Sequence, residues 1–261
     1  MKQSATSYIV RKFGGLAVFA LIWEVVSRSG LVLQDYFPPV TAILVAMGEE
    51  IRSAKFVDNL FTTWGRALGG LAIAIVLGIG LAIIAARSYV LRRMLSPFVD
   101  MLRVLPPPAI VPISIFAFGI GTKLYLFIVI FAAVWPIYIN AVNALAAPEP
   151  VQIATARSMG YGDDEILYRV RLPAALPEIF TGIRIGSGLA LLAAVAAEMI
   201  AASSGLGALL YDAGFTLRVK DMFAIMFFVG ISGILLNALV ATVRRWLIGW
   251  HIDLAAMGEH A

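Results

Sequence analysis

The chain has no cysteine and only two histidines, His251 and His260, both near its C-terminal end. Disulfides, thiolate metal sites and cysteine nucleophiles are therefore excluded, and a histidine-based site has no ligands to draw on inside the apolar segments. Charge is scarce too: 14% of the residues are charged against 61% hydrophobic, with a mean hydropathy of +0.92. Soluble domains average about 25% charged and 45–50% apolar, so composition alone assigns the chain to a membrane. No Gly-x-x-x-x-Gly-Lys-Ser/Thr loop is present, so ATP would have to be bound by another chain. Only two acids, Glu24 and Glu198, fall deep in apolar runs, which is too few for a membrane-embedded enzyme built on paired carboxylates. No catalytic residue and no metal ligand is assigned. A net charge of +4 calls for no nucleic acid; it suits arginines at an anionic membrane face.

What is present is a series of apolar runs long enough to cross a bilayer. Lys2, Arg11 and Lys12 precede the first, residues 13–33. That order resembles a signal peptide, but Ser27-Arg28-Ser29 is a poor cleavage site, so an uncleaved span is expected, with Glu24 turned toward the bundle. Residues 41–51 fit either a helix lying on the outer surface or a plain connector. Further spans are expected at 60–86, 124–147 (kinked near Pro136), 180–203 and 222–243. Gly65/Gly69 and Gly182/Gly186 are spaced for close helix approach, and Asn140 and Asn143 for interhelical hydrogen bonds. Between 101 and 120, Pro106, Pro107, Pro108 and Pro112 forbid an unbroken helix; irregular backbone at that depth lines a wet path or forms a re-entrant segment. Residues 204–221 read as an outer loop with Gly205 and Gly207 as flexible points. Asp221 is a possible cap for the last span, and Arg244-Arg245 its stop.

The fold expected is thus all-α and polytopic, with about six transmembrane helices. Residues 1–35 form the N-terminal span, 36–59 an outer connector, 60–250 the core and 251–261 a tail. Seven basic residues (Arg28, Arg52, Lys55, Arg66, Lys123, Arg218, Lys220) fall outside and the other thirteen inside when both termini are cytoplasmic, which favours that orientation. Arg66 and Glu198 have matching predicted depths and are expected to pair, although a role for either along a transport path is also open. A charge swap that rescues both single changes is the signature expected of the pair.

The longest polar interruption of the C-terminal half is QIATARSMGYGDDEILYRVRLP, residues 152–173. Ile153, Ala156, Arg157 and Met159 suit one short helix. After Gly160-Tyr161-Gly162, Asp163 or Asp164 can cap a second helix with Ile166, Leu167 and Val170 on one face, which Leu172-Pro173 should end. Such an element fits a docking site for a partner protein, but amphipathic loops are common and on the residues alone a solvated loop between two spans is the commoner case.

This stretch resembles the cytoplasmic loop signature of binding-protein-dependent ABC importer permeases. The signature is Glu-Ala-Ala, three residues, Gly, nine residues, Ile, one residue, Leu-Pro; here it reads Ala154-Thr155-Ala156, Gly160, Val170, Leu172-Pro173. Ala154 replaces the family's glutamate. Phe37-Pro38-Pro39, Leu105 to Pro112, Phe118-Gly119-Ile120-Gly121 and Ala197 to Ala202 with Gly205-Leu206-Gly207 resemble the sulfonate/taurine/nitrate branch, and the likeness spans residues 32–251.

The resemblance implies a type I importer fold in the bacterial cytoplasmic (inner) membrane, no enzymatic activity and no cofactor in this chain. Its partners would be a second copy, two cytoplasmic ATPase subunits carrying ATP and Mg, a periplasmic substrate-binding protein and the lipid bilayer. Residues 150–175 would be the coupling loop, docking through Ala154, Ala156, Arg157, Ser158, Met159, Gly160, Tyr161, Gly162, Asp163, Asp164, Glu165, Ile166, Leu172 and Pro173. Pro106, Pro107, Pro108, Arg66 and Glu198 are the pathway or gate candidates. The cargo implied is a small anion, with a pyrimidine vitamin precursor as the alternative. A secondary transporter would show an inverted repeat, and none is evident.

Overall fold

The structure, a computed structural model, describes residues 5–146, 150–201 and 204–258, with side chains from residue 14 to residue 249. Of the positions named above, Lys2, Ala202 and His260 lie outside the described residues. All regular elements among those residues are helical. In order they are α1 (Ala5–Arg28), α2 (Val40–Arg52), α3 (Ala54–Ala86), α4 (Tyr89–Leu102), a 3-10 turn (Pro107–Ile110), α5 (Val111–Phe118) and α6 (Thr122–Ala146). Then come α7 (Pro150–Ser158), α8 (Asp163–Ile166), a π-helical turn (Leu167–Arg171), α9 (Leu172–Ala201), α10 (Leu206–Phe215) and α11 (Val219–Gly258).

Among the described residues four helices are long and apolar enough to cross a membrane: α3, α6, the continuous run Asp163–Ala201, and α11 as far as Gly249. A fifth is obtained if Tyr89–Leu102 and Pro107–Phe118, bent by 90° at the prolines, are taken as one broken span. Where the sixth span is expected, α1 is a single helix of 24 residues, Ala5–Arg28, longer than the ~20 residues a bilayer requires. Glu24 faces α2 rather than the bundle: Arg28 Nε reaches its Oε1 at 2.7 Å, and the Thr41 backbone N–H and hydroxyl also donate to it. The end of α1 is fixed by Trp23, which stacks on Phe37 at 4.8 Å and donates to Pro38 O at 3.0 Å.

The bundle is organised around α6, sandwiched between α3 and α9. Ile137 is fully buried between Gly78 of α3 and Gly186 of α9. A Cβ at Gly78 would come within 2.9 Å of Ile137 Cγ2, and one at Gly182 within 2.9 Å of Pro136 O. Removing the side chain lets the backbones approach, which is how helices associate where no water drives them together. Gly182/Gly186 is thus a close-approach pair. Gly65/Gly69 is not: a Cβ at Gly65 meets nothing within 4 Å, and the close glycines of α3 are Gly70 and Gly78. Asn140 also differs from expectation. Its amide donates to Pro136 O, four residues back on its own helix, at 2.8 Å. The nitrogen of Asn140 has a backbone acceptor one turn below, so no neighbouring helix is needed to satisfy it.

Two predicted terminations are absent. The stretch Asp163–Ala201 is one helical run of 39 residues, with Pro173 inside it. The preceding turn is widened, so that the Leu172 N–H donates to Leu167 O five residues back, and this π-turn absorbs the donor that proline lacks. At the other end of the chain, α11 continues through Arg244-Arg245 and begins at Val219, which puts Asp221 inside its first turn rather than at its cap.

Candidate functional site

Two polar assemblies lie at opposite ends of the run Asp163–Ala201. At its start, α7 closes on Gly160, whose φ is +86°. The Gly160 N–H donates to Arg157 O at 3.0 Å and the Tyr161 N–H to Ala156 O at 3.1 Å. This 5→2 and 6→1 pair is the Schellman termination, which wants a residue in the left-handed region and so favours glycine. The Glu165 carboxylate then accepts from the Gly162 N–H at 3.2 Å and caps α8. Ala156 and Ile166 are buried and fix the loop to the bundle; Tyr161, Leu172 and Pro173 are half-buried. Ala154, Arg157, Ser158, Met159, Gly160, Gly162, Asp163, Asp164 and Glu165 are exposed. A tie absent from the sequence reading joins the loop to α3: Arg87 donates to Asp164 Oδ1 at 3.0 Å and to the Tyr168 hydroxyl at 3.1 Å.

At the far end, Glu198 is 0% exposed. Arg66 Nη1 donates to its Oε1 at 2.8 Å, so the two residues matched by predicted depth do meet. The Thr63 hydroxyl donates to Glu198 Oε2 at 2.8 Å, and the Gly207 N–H donates to the same oxygen at 3.1 Å. The residues 204–221, read as a loop, contain α10, and its N-terminus is held here. Three successive backbone N–H groups that a helix start leaves unpaired are all taken by side chains of other helices. Gly205 donates to Asn59 Oδ1, Leu206 to Thr63 Oγ1 and Gly207 to Glu198. A carboxylate at a helix N-terminus is further favoured by the helix dipole. Gly205 has φ +101°, and a Cβ there would overlap the Glu198 carboxyl; Gly207 is buried, so neither glycine is a flexible point.

Arg66 also donates to Ser204, reaching the carbonyl at 2.9 Å and the hydroxyl at 2.7 Å, and its guanidinium lies 3.7 Å from the Tyr125 ring centroid. With its charge met by Glu198 and these bonds to Ser204, it acts as a strut for the turn that precedes α10. Pro106, Pro107 and Pro108 take no part in this network; they form the bend between α4 and α5. The sequence reading missed Asn59 and Thr63. With Arg66 they form a polar stripe at i, i+4 and i+7 on an otherwise apolar helix, a visible signal of a buried polar contact.

Residues 74–249 match the family described as "Binding-protein-dependent transport system inner membrane component". The chain belongs to that family. It is 31% identical over 248 residues to the taurine transport system permease protein TauC of Escherichia coli, covering 93% of this chain and 90% of that protein. It is 32% identical over 251 residues to the bicarbonate transport system permease protein CmpB of Synechococcus elongatus, with 92% and 90% covered. The nitrate import permease protein NrtB of Synechocystis is 30% identical over 249 residues, again with 92% and 90% covered. The fold of this permease is shared with a chain of the inward-facing MetNI methionine ABC transporter: TM-score 0.62 at 19% identity, covering 74% of this chain and 98% of that one.

Proposed function

We propose that this permease is the membrane subunit of an ATP-driven importer for a small anion, of the sulfonate, taurine, nitrate or bicarbonate kind, in the bacterial inner membrane. Two copies form the path. A periplasmic binding protein delivers the anion on the side of α2 and α10, and residues 36–59 face that side. Two ATPase subunits, holding ATP and Mg, dock on residues 150–175, so the chain itself catalyses nothing. The observation that carries the reading is the coupling loop. An exposed helix-turn-helix, locked by Gly160 and the Glu165 cap, runs without interruption into a membrane span. The cargo class rests on the names of relatives that match nearly the whole chain.

The test is co-purification. The tagged chain is expressed with its native neighbours and solubilised gently, as wild type and as Gly160→Asp. An ATPase that elutes with the wild type and is lost with the variant supports the reading. A folded wild-type chain that brings down no ATPase overturns it.

A further inference from the structure

We propose that the cleft between α4 and the last turns of α6 is an oxyanion-binding site at the coupling-loop end of the permease. This deepens the transport reading above and rests on it for the identity of the soluble anion, but not for binding itself.

The cleft has a volume of about 710 Å³, within the range of small-molecule sites. It lies at the inner end on internal geometry alone. α6 leads from it directly toward α7, and α4 follows Arg87, which is tied to Asp164 of the coupling loop. Its polar lining includes Arg92, Arg93, Ser96, Arg103, Tyr138 and Asn143. Among the described residues the only acid in the lining is Asp100, and it is occupied: Arg103 Nε donates to Asp100 Oδ1 at 3.0 Å, and Ser96 donates to its other oxygen at 3.4 Å. Arg92 and Arg93 are left without a carboxylate partner among the described residues. Arg93 is held by donating to the Tyr89 hydroxyl at 2.8 Å, which keeps its guanidinium at the cleft without neutralising it. Opposite them, Tyr138 is only 4% exposed, yet it lines the cleft and makes no side-chain hydrogen bond among the described residues.

Two guanidinium groups without a carboxylate partner among the described residues face a phenol and an amide. Guanidinium forks match the paired oxygens of sulfonate, sulfate, nitrate or phosphate. The Tyr138 O–H and the Asn143 amide can donate from the other wall. A soluble anion released toward the cytoplasm and the headgroup of an anionic lipid share this chemistry.

The full-length chain, purified in a neutral detergent, is titrated calorimetrically with inorganic sulfate. In parallel, lipid retention is measured by native mass spectrometry after exchange into phosphatidylglycerol or phosphatidylcholine. The variants are the double Arg92→Gln/Arg93→Gln, the shape-conserving Tyr138→Phe, and Arg245→Gln as a basic residue outside the cleft. The expected result is sulfate binding weakened at least tenfold by the double variant and several-fold by Tyr138→Phe, and unchanged by Arg245→Gln. If phosphatidylglycerol retention instead shows this dependence while sulfate does not, the site stands and its anion is a lipid headgroup. If neither probe depends on Arg92, Arg93 and Tyr138, or if Arg245→Gln has an equal effect, the site is refuted. ATPase co-purification with the double variant separates the two proposals: retained ATPase without anion binding defeats the cleft alone.

Discussion

Arg66→Met is the most informative single change. It removes the donor to Glu198, both donors to Ser204 and the cation over Tyr125. What remains is a carboxylate of 0% exposure held by one hydroxyl and one backbone N–H. Breaking a buried pair by removing one partner costs about 3–5 kcal/mol, because the surviving charge stays desolvated. Glu198→Gln should cost less, about 1.5–3 kcal/mol, the range for hydrogen bonds to charged groups. In that variant Arg66 keeps Ser204 and a side chain that is 11% exposed. The double variant leaves no uncompensated charge, so it should be more stable than the sum of the singles by about 1–3 kcal/mol. Thermal unfolding in detergent reads this out: at about 2–4 °C per kcal/mol for a chain of this size, Arg66→Met should melt on the order of 6–20 °C lower. Additive losses, or an Arg66→Met loss under about 2 °C, would refute the buried pair. The charge swap, by contrast, is expected to fail although the pair is real. An arginine at position 198 would face the Gly207 N–H and the positive end of α10.

Other outcomes follow from the same geometry. Gly205→Ala should lower the melting temperature more than Gly121→Ala, because its Cβ overlaps the Glu198 carboxyl while Gly121 has open space. Gly160→Asn, which tolerates the left-handed region, should keep the fold within about 1 kcal/mol of wild type, and ATPase co-purification then isolates docking from folding. Gly78→Val should destabilise strongly by driving into Ile137, read by detergent melting. Glu50 is half-buried beside Asp221; burial first, then that charge, raises its carboxyl above the ordinary 4.5. Its favourable protonated form is complete below that value and is lost as pH rises through the raised one. Melting temperature should therefore fall across that window, and Glu50→Gln should flatten the profile.

The spans at α3, α6, α9 and α11 and the helix-turn-helix of residues 150–166 were legible in the sequence because hydropathy, the Gly160 break and the Asp163–Glu165 cluster are local signals. The reading went wrong where tertiary partners decide. Residues 204–221 looked like a loop because Gly205 and Gly207 open them; the acceptors that start α10 sit on α3 and α9, more than a hundred positions away for Asn59 and Thr63. Pro173 looked like a stop because the widened turn before it leaves no mark in composition. Arg244-Arg245 end an apolar run, and a run of apolar residues is not the same thing as a helix. The Arg66–Glu198 pair was legible because an acid and a base at equal depth in hydrocarbon have few other ways to be satisfied.

The helical run Asp163–Ala201 has a mechanical consequence. Its 39 residues span about 58 Å at 1.5 Å per residue, so a 10° tilt about its middle would move each end by about 5 Å in opposite directions. One end carries the exposed helix-turn-helix of residues 150–166. The other is bolted to α3 through Glu198 and Arg66, and α3 is itself fastened to the loop end through Arg87 and Asp164. The two helices form a closed parallelogram with an ion pair at each of two corners. A shove at the Arg87–Asp164 corner must carry α3 along as a unit or shear one of those corners. The exposed Arg87–Asp164 corner is the weaker of the two, which makes it the joint that yields first.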